Sequence, residues 1–201
     1  MTKQTKGDAP VAPVSAKMAS PSTSPYTIEK HQHLYAAWAA CRGASVLGCR
    51  FKVQQGRLLL ESCGFVPNLA LPSQLPDVTC MDARHRQWRV AMIQNATTHR
   101  LKMTHGVAAK LINLYLKCRF VCGGHHAHVR VSRLHPPIDS VMLKALVESN
   151  VGGFRSEWKH LQNLRWSKFT SDQYEHAIAL IRQSLNGEPL WKIEEYWQGN
   201  Q

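Results

Sequence analysis

A lysine and an aspartate 29 residues apart are the side chains of this sequence best suited to covalent chemistry. Lys110 lies in an apolar run with helical spacing, and Asp139 follows two prolines at a position typical of a helix N-cap. A neutral lysine amine is a nucleophile, and a carboxylate beside it can activate it and stabilise developing positive charge. We expect chemistry at this pair, provided that the residues between them fold out as a loop.

Small residues precede this lysine and predict a tight hairpin at residues 104–110 that opens a helix from Val107 to about Lys117. Free N–H groups at a helix N-terminus bind phosphate without reading base sequence. We therefore expect the backbone of His105, Gly106, Val107 and Ala108 to hold a phosphate group. The alternative is that the glycine only makes a turn.

The composition favours a nucleic-acid partner. The chain has 201 residues, of which 44% are hydrophobic, enough for one domain with one core over residues 26–201. Its 25 Lys and Arg residues against 13 Asp and Glu residues give a formal charge of +12, which attracts polyanions. The alternative is a solvated surface whose charge has no specific partner.

The chain has no signal for export or membrane insertion. Residues 1–25 combine Lys, Pro, Ser, Thr and Ala with few bulky apolar residues, which predicts a disordered basic tail rather than a secretory signal. No run approaches the roughly 18 to 20 apolar residues of a membrane span. We therefore expect a cytoplasmic, nucleoid-associated protein with its six cysteines reduced.

The periodicity predicts a mainly α-helical fold. One helix begins after Thr27 and ends near Gly43, with Ile28, His31, Leu34, Tyr35, Trp38 and Cys41 at helical spacing. A basic amphipathic helix follows over residues 83–102, with a possible early end at residues 94–98. Later helices are predicted at residues 140–148, from Thr170 to Gly187, and as a short last element at residues 189–197.

One short β-hairpin is predicted near the N-terminus. Apolar and basic residues at 50–53 and 57–60 flank a Gln-Gln-Gly sequence at residues 54–56. The second of these runs can equally begin a helix. Residues 67–76 contain three prolines and are expected to form a connector, while the Trp- and Lys-rich residues 158–168 give no clear pattern.

Several thiols and imidazoles after Lys110 raise the alternative of a zinc-dependent structural protein, since both groups bind zinc. These residues are Cys118, Cys122, His125, His126, His128 and His135. Their spacing matches no ordinary zinc pattern, so we predict neither a metal nor another cofactor. One ring of the C-terminal aromatic set is a candidate to stack on a base, while core packing is expected for most of them: Trp158, Trp166, Trp191, Tyr196 and Trp197.

Three segments within residues 88–150 resemble the helix-hairpin-helix DNA glycosylase superfamily, which includes endonuclease III and the 8-oxoguanine glycosylases. Residues 106–113 (GVAAKLIN) are similar to the family hairpin with its catalytic lysine. Residues 137–143 (PIDSVML) are similar to the helix start that carries the family aspartate. Residues 92–97 (MIQNAT) are similar to the segment whose amide side chain fills the gap left by a flipped base.

The resemblance implies a role for each matching residue. Lys110 would be the amine that attacks the sugar C1′, and Asp139 would activate it and stabilise positive charge on the sugar. Asn95, with Gln94 as the second choice, would fill the vacated stack. The target nucleotide would first leave the duplex at a cost of a few kcal/mol, with bending of the DNA.

The sequence departs from the family pattern at three points. Ala108 replaces the second hairpin glycine, Ile138 replaces the usual valine, and the interval between Lys110 and Asp139 is longer than in most members, which resembles the archaeal 8-oxoguanine branch. No four-cysteine cluster follows Cys122, so the iron–sulfur cluster of endonuclease III is not expected.

The resemblance implies a DNA N-glycosylase that acts on double-stranded DNA as a monomer, with AP-lyase activity if Lys110 forms a Schiff base. Its substrate would be an oxidised purine or, as in phage-defence relatives, a modified cytosine such as glucosylated hydroxymethylcytosine. The alternative is a non-catalytic helix-hairpin-helix module that binds DNA and uses Lys110 as a phosphate contact.

Overall fold

The computed structural model describes residues 25–64 and 69–198 and confirms a mainly α-helical class. Its α-helices in these ranges are α1 (Ile28–Ala44), α2 (Val53–Ser62), α3 (Met81–Thr98), α4 (His105–Leu116), α5 (Ser140–Glu148), α6 (Arg155–Leu164) and α7 (Ser171–Leu185). A π-helix, Lys117–His125, continues α4, and short 3₁₀ helices cover Pro72–Gln74, Val131–Arg133, Val151–Gly153, Trp166–Lys168 and Leu190–Tyr196. Apart from residue 25, the predicted N-terminal tail lies outside the described residues.

Helix α4 is the central element of the fold. Ten of its 12 residues are buried, because apolar side chains surround the helix on all sides. It packs against α1, α3 and α7. Two of its polar side chains, Lys110 and Asn113, are therefore enclosed and need partners within the protein.

Two clusters of buried side chains meet at this helix. One cluster is built largely from α1 to α4, and the other from α5 to α7 with the C-terminal 3₁₀ helix. Ala108 belongs to the first and Ala109 to the second, while Trp166 packs against both. The sequence predicted one core, and the buried residues form two clusters on either side of α4.

Three predicted helix starts are confirmed by their N-caps. Thr27 Oγ1 accepts from the Lys30 amide at 3.3 Å, at the start of α1. The Asp139 carboxylate caps α5, and Thr170 caps α7 with a reciprocal contact to Gln173. Each cap satisfies an amide that the helix itself leaves unpaired. Helix α3 ends at Thr98, so it ends within residues 94–98, as the alternative predicted, and not at residue 102.

The β-hairpin predicted at residues 50–60 is wrong. Residues 53–62 form α2, and the β-pairing in the described ranges is limited to an isolated bridge between Val46 and Cys49. Gly56, which suggested a turn, lies buried inside the helix. A Cβ there would lie 2.3 Å from Cys41 Sγ, so the glycine permits close packing of two helices.

Of the residues whose pattern predicted α1, Cys41 is the one that lies on the buried face of the helix. Ile28, Tyr35 and Trp38 are at least half exposed, whereas the buried side chains are mostly alanines at 36, 37, 40 and 44. Small residues let the helix axes of α1 and α4 approach closely, so size rather than hydrophobicity selects this face.

All six cysteines lie in the described ranges as free thiols. Within those same ranges, no helix has the length and apolarity that crossing a membrane requires.

Candidate active site

Lys110 and Asp139 lie side by side. Lys110 Nζ is 3.1 Å from Asp139 Oδ2, and the two side chains are 10% and 17% exposed. Lys110 belongs to α4, and Asp139 precedes α5. The structure thus brings together the two residues that the sequence nominated for chemistry.

The segment between them folds back onto α4. The π-helix Lys117–His125 extends α4, a turn and a 3₁₀ helix at Val131–Arg133 follow, and residues 134–138 return as a buried non-helical run. His135-Pro136-Pro137 cannot continue a helix, so this run remains extended until Asp139 caps α5.

Lys110 lies in an environment that favours its neutral form more than water does. Its Nζ lies 4.5 Å from the centre of the Trp166 ring, a cation–π contact that by itself favours the protonated amine. Burial lowers the pKa of Lys110, and the neighbouring Asp139 carboxylate opposes this shift. A lysine with a lowered pKa provides more free amine at neutral pH, which a nucleophile requires.

The Asp139 carboxylate is oriented by three hydrogen bonds. Oδ1 accepts from the Met142 amide at 2.9 Å, and Oδ2 accepts from Lys110 Nζ and, at 3.3 Å, from Trp197 Nε1. One oxygen therefore caps α5 while the other faces the amine.

The pair opens into a cavity of about 200 Å³, which we call the Lys110 cavity. It is smaller than the roughly 300–1,000 Å³ of pockets for drug-sized ligands, so it suits a single compact group. Its lining consists of Gly43, Lys110, Leu114, Lys117, Pro137, Asp139, Glu194 and Trp197.

A second ion pair joins Lys117 to Glu194 in the same cavity. The Glu194 side chain is 14% exposed, and burial raises the pKa of its carboxyl, with the Lys117 charge acting in the opposite direction. The cavity therefore combines an amine, two carboxyl groups, a second cation and an indole ring.

A hydrogen-bond network fixes the loop before Asp139. Asn113, three residues after Lys110 on α4, donates from Nδ2 to the Pro136 carbonyl at 2.9 Å and to the Tyr174 hydroxyl at 3.0 Å. Its Oδ1 therefore accepts from His85 Nε2, 2.7 Å away. We call these residues, together with His135 and Asp82, the Asn113 network.

The direction of each hydrogen bond in this network follows from the amide. Because the Tyr174 oxygen accepts from Asn113, its hydroxyl donates to His135 Nδ1 at 3.0 Å. His135 Nε2 then donates to Asp82 Oδ1 at 2.9 Å. Burial lowers the pKa of both His85 and His135, so both rings are held neutral.

The predicted phosphate site is not formed by the amides of residues 106–108. Helix α4 starts at His105, two residues earlier than predicted, so Gly106 lies in its first turn. The Gly106 amide donates to Phe169 O, while those of Val107 and Ala108 donate to the Thr104 side chain and carbonyl. These three amides are already bonded inside the protein, and only His105 of the four predicted residues is partly exposed.

Gly106 serves a different purpose, which is close packing. A Cβ at this position would lie 1.8 Å from the Trp166 carbonyl oxygen. The glycine thus lets the 3₁₀ turn Trp166–Lys168 pack against α4, which places the Trp166 ring beside Lys110.

Asn95 and Gln94 lie elsewhere. Asn95 Nδ2 donates to Ser62 Oγ at 2.9 Å, towards α2, and Gln94 is exposed on α3. Neither residue lines the Lys110 cavity. A side chain that fills the base stack lies in the duplex rather than in the base cavity, so the role of these two amides stays a prediction.

The cysteines and histidines considered as zinc ligands are dispersed. His135 belongs to the Asn113 network, and His126 lies against Trp191 with ring centres 6.0 Å apart. Across residues 25–64 and 69–198, no group of three or more His, Cys, Asp or Glu side chains is arranged to hold a metal ion.

Most residues of the cavity wall were not predicted from the sequence. Lys117 and Glu194 gave no signal, since they are far apart in the chain and look like surface charges. Trp166 and Trp197 belonged to the aromatic set, and the structure places Trp197 in the cavity wall and Trp166 beside the lysine, while Trp158 is buried with Nε1 donating to the Val151 carbonyl. Asn113 was signalled only by being a polar residue in an apolar helix.

Comparisons with protein-family models, with curated proteins and with solved structures each found no match. The resemblance of residues 92–97, 106–113 and 137–143 to helix-hairpin-helix glycosylases therefore stays a prediction.

Proposed function

We propose that this protein is a DNA N-glycosylase that removes a modified or damaged base after flipping it out of the duplex. The observation that carries the proposal is the 3.1 Å contact between Lys110 Nζ and Asp139 Oδ2 in a small cavity beside the Trp197 ring. The net charge of +12 supports a polyanionic substrate.

In the proposed reaction, the neutral Lys110 amine attacks C1′ of the flipped nucleotide. Asp139 takes the proton that Lys110 loses to become neutral, and it passes this proton to the base as the bond between C1′ and the base nitrogen breaks and its electron pair leaves with the base. Asp139 then accepts the proton that the alkylated amine loses and returns it to O4′ when the sugar ring opens. The ring opening gives a protonated Schiff base, from which strand cleavage can follow.

The remaining polar groups of the cavity would contact the base. Trp197 provides a ring surface for stacking, while Lys117 donates and Glu194 accepts hydrogen bonds at the edge of the base. An oxidised purine and a modified cytosine both present such donors and acceptors. We propose these two classes as substrates.

The alternative of a non-catalytic DNA-binding module receives less support. Such a module would use the amides of residues 106–108 to hold phosphate, and these amides are bonded within the protein. Its lysine would also lie at the surface, whereas the Lys110 side chain is 10% exposed and paired.

The test is to incubate the protein with oxidised DNA and with phage DNA containing modified cytosines, and to identify released bases by mass spectrometry. We expect one class of free base to appear in proportion to time and enzyme. Absence of released base from every DNA would overturn the proposal. Borohydride trapping of a covalent complex separates a Schiff-base lyase from a plain glycosylase.

A further inference from the structure

The tight turn at residues 46–49 holds a leucine away from the protein. Leu47 is 84% exposed, more than any other large hydrophobic side chain in the described ranges. Single exposed leucines are common on protein surfaces, so the exposure of Leu47 alone does not indicate a role. The shape, charge and position of this turn add three further observations.

The turn is built to be rigid. Val46 and Cys49 exchange backbone hydrogen bonds in both directions, and Gly48 adopts a positive φ of 95°, which a glycine accommodates in a type II turn. The Cys49 side chain is buried, and the Phe51 amide donates to Ser45 Oγ at 3.3 Å. Leu47 is therefore presented on a braced protrusion.

Positive charge surrounds this protrusion. Arg42, Arg50 and Lys52 line one surface groove with Leu47, and all three are exposed. No Asp or Glu lines this groove. Cations around an apolar tip match a duplex, in which phosphates flank stacked bases.

The turn also lies next to the Lys110 cavity along the chain. Gly43, at the end of α1, lines that cavity, and the turn follows immediately after α1. Leu47 follows Gly43 by four residues, so their Cα atoms lie at most about 14 Å apart, and the leucine is within reach of a duplex that presents a nucleotide to the cavity.

We propose that Leu47 inserts into the base stack of a DNA duplex beside the flipped nucleotide, while Arg42, Arg50 and Lys52 contact the flanking phosphates. This inference rests on the proposed glycosylase function and gives Leu47 the place that the sequence suggested for Asn95 or Gln94. Insertion removes the exposed leucine from water and so offsets part of the cost of unstacking.

The experiment uses the full chain and a duplex that contains an abasic-site analogue next to 2-aminopurine. This fluorophore brightens when it is unstacked, and the duplex has no base to release, so catalysis is not needed. The variants are Leu47→Ala, Arg50→Gln and, as a matched control, Val129→Ala, since Val129 is 63% exposed and lies outside the cavity lining.

We expect wild-type protein and Val129→Ala to raise the fluorescence equally, and Leu47→Ala to lose most of this rise. Leu47→Ala should also reduce the preference for abasic over intact duplex by about tenfold. Arg50→Gln should weaken binding to both duplexes and lower the slope of log affinity against log salt by about 0.9, the value for one lost phosphate contact.

An unchanged fluorescence rise with Leu47→Ala would overturn the inference, and so would a failure of wild-type protein to bind either duplex. The assay of base release is separate from this one. A Leu47-dependent rise without base release would support the insertion and overturn the glycosylase, whereas base release with a Leu47-independent rise would do the reverse.

Discussion

Lys110 and Asn113 lie three residues apart on the same buried helix, but their polar atoms have opposite surroundings. Asn113 is 1% exposed, and both its amide nitrogen and its oxygen have partners within the protein. Lys110 also contacts the loop at residues 135–139, through Asp139, but its amine opens into a cavity.

The difference suits Asn113 to positioning the loop and suits Lys110 to contact with another molecule. The Asn113 network fixes the Pro136 carbonyl and so holds the start of α5 against α4. The Lys110–Asp139 pair uses that fixed geometry and keeps space for another molecule. A fully satisfied buried network adds rigidity, while a buried cation with one charged partner remains available for chemistry.

The largest effect should come from changing the pair itself. We expect Lys110→Ala, and also Asp139→Asn, to lower the rate of base release by about 10²–10⁴-fold, the range for loss of a positioned proton-transfer group. Asn caps a helix as well as Asp does, so Asp139→Asn keeps the cap on α5 and removes only the charge. Single-turnover release of free base measures the effect.

Lys144→Ala is the matched control, because this lysine is 67% exposed and its partner Glu148 lies on the same helix. It should release base at the wild-type rate. If Asp139→Asn also keeps that rate while Lys110→Ala only weakens DNA binding, the pair is a phosphate contact and the comparison with Asn113 fails.

The next largest effect concerns stability. Asn113→Ala should lower the free energy of unfolding by about 3 kcal/mol, since it leaves the Pro136 carbonyl and a His85 N–H buried without partners. Urea denaturation measures this. Asn95→Ala, which removes one hydrogen bond from a partly exposed side chain, should cost less than about 1 kcal/mol. Equal costs for the two variants would show that the network does not hold the loop.

A glycine substitution tests how Trp166 is held beside the lysine. Gly106→Ala should lower the free energy of unfolding by about 2 kcal/mol, because its Cβ would collide with the Trp166 backbone. At Gly123 the nearest atom to an added Cβ is 3.8 Å away, so Gly123→Ala should have little effect. Thermal unfolding of the two variants measures the difference. Equal melting temperatures would contradict the packing role of Gly106.

The most gradual effect is a dependence of stability on pH. His85 and His135 have pKa values below the usual 6.5 in the folded protein because of burial, so the unfolded chain binds protons first as the pH falls. The free energy of unfolding should therefore decrease below pH 6.5, by at most about 1.4 kcal/mol per pH unit for each histidine.

Urea denaturation at a series of pH values on both sides of 6.5 measures this dependence. His85→Gln keeps a donor for Asn113 and should reduce the slope, whereas His125→Gln, at an exposed position at the end of the π-helix, should leave it unchanged. A slope that both variants share with the wild type would show that His85 is not the titrating group.

The sequence by itself determined the helices that carry strong local signals. Thr27, Asp139 and Thr170 cap the predicted helices, since capping depends on residues within one turn of each other. The rule that glycine marks a turn gave wrong predictions at Gly56 and Gly106. At both positions glycine allows close packing between elements that are distant in the chain. A local rule cannot distinguish these two uses of the same residue.

The sequence also nominated Lys110 and Asp139, because an amine in an apolar helix and an aspartate after two prolines are unusual in themselves. Only the tertiary structure decided that they meet, what surrounds them and which predicted contacts are unavailable. Lys117 and Glu194 are 77 residues apart, and Asn113 and Tyr174 are 61 apart. Such contacts arise from packing of whole helices around α4, and burial then lowers the pKa of Lys110 and raises that of Glu194.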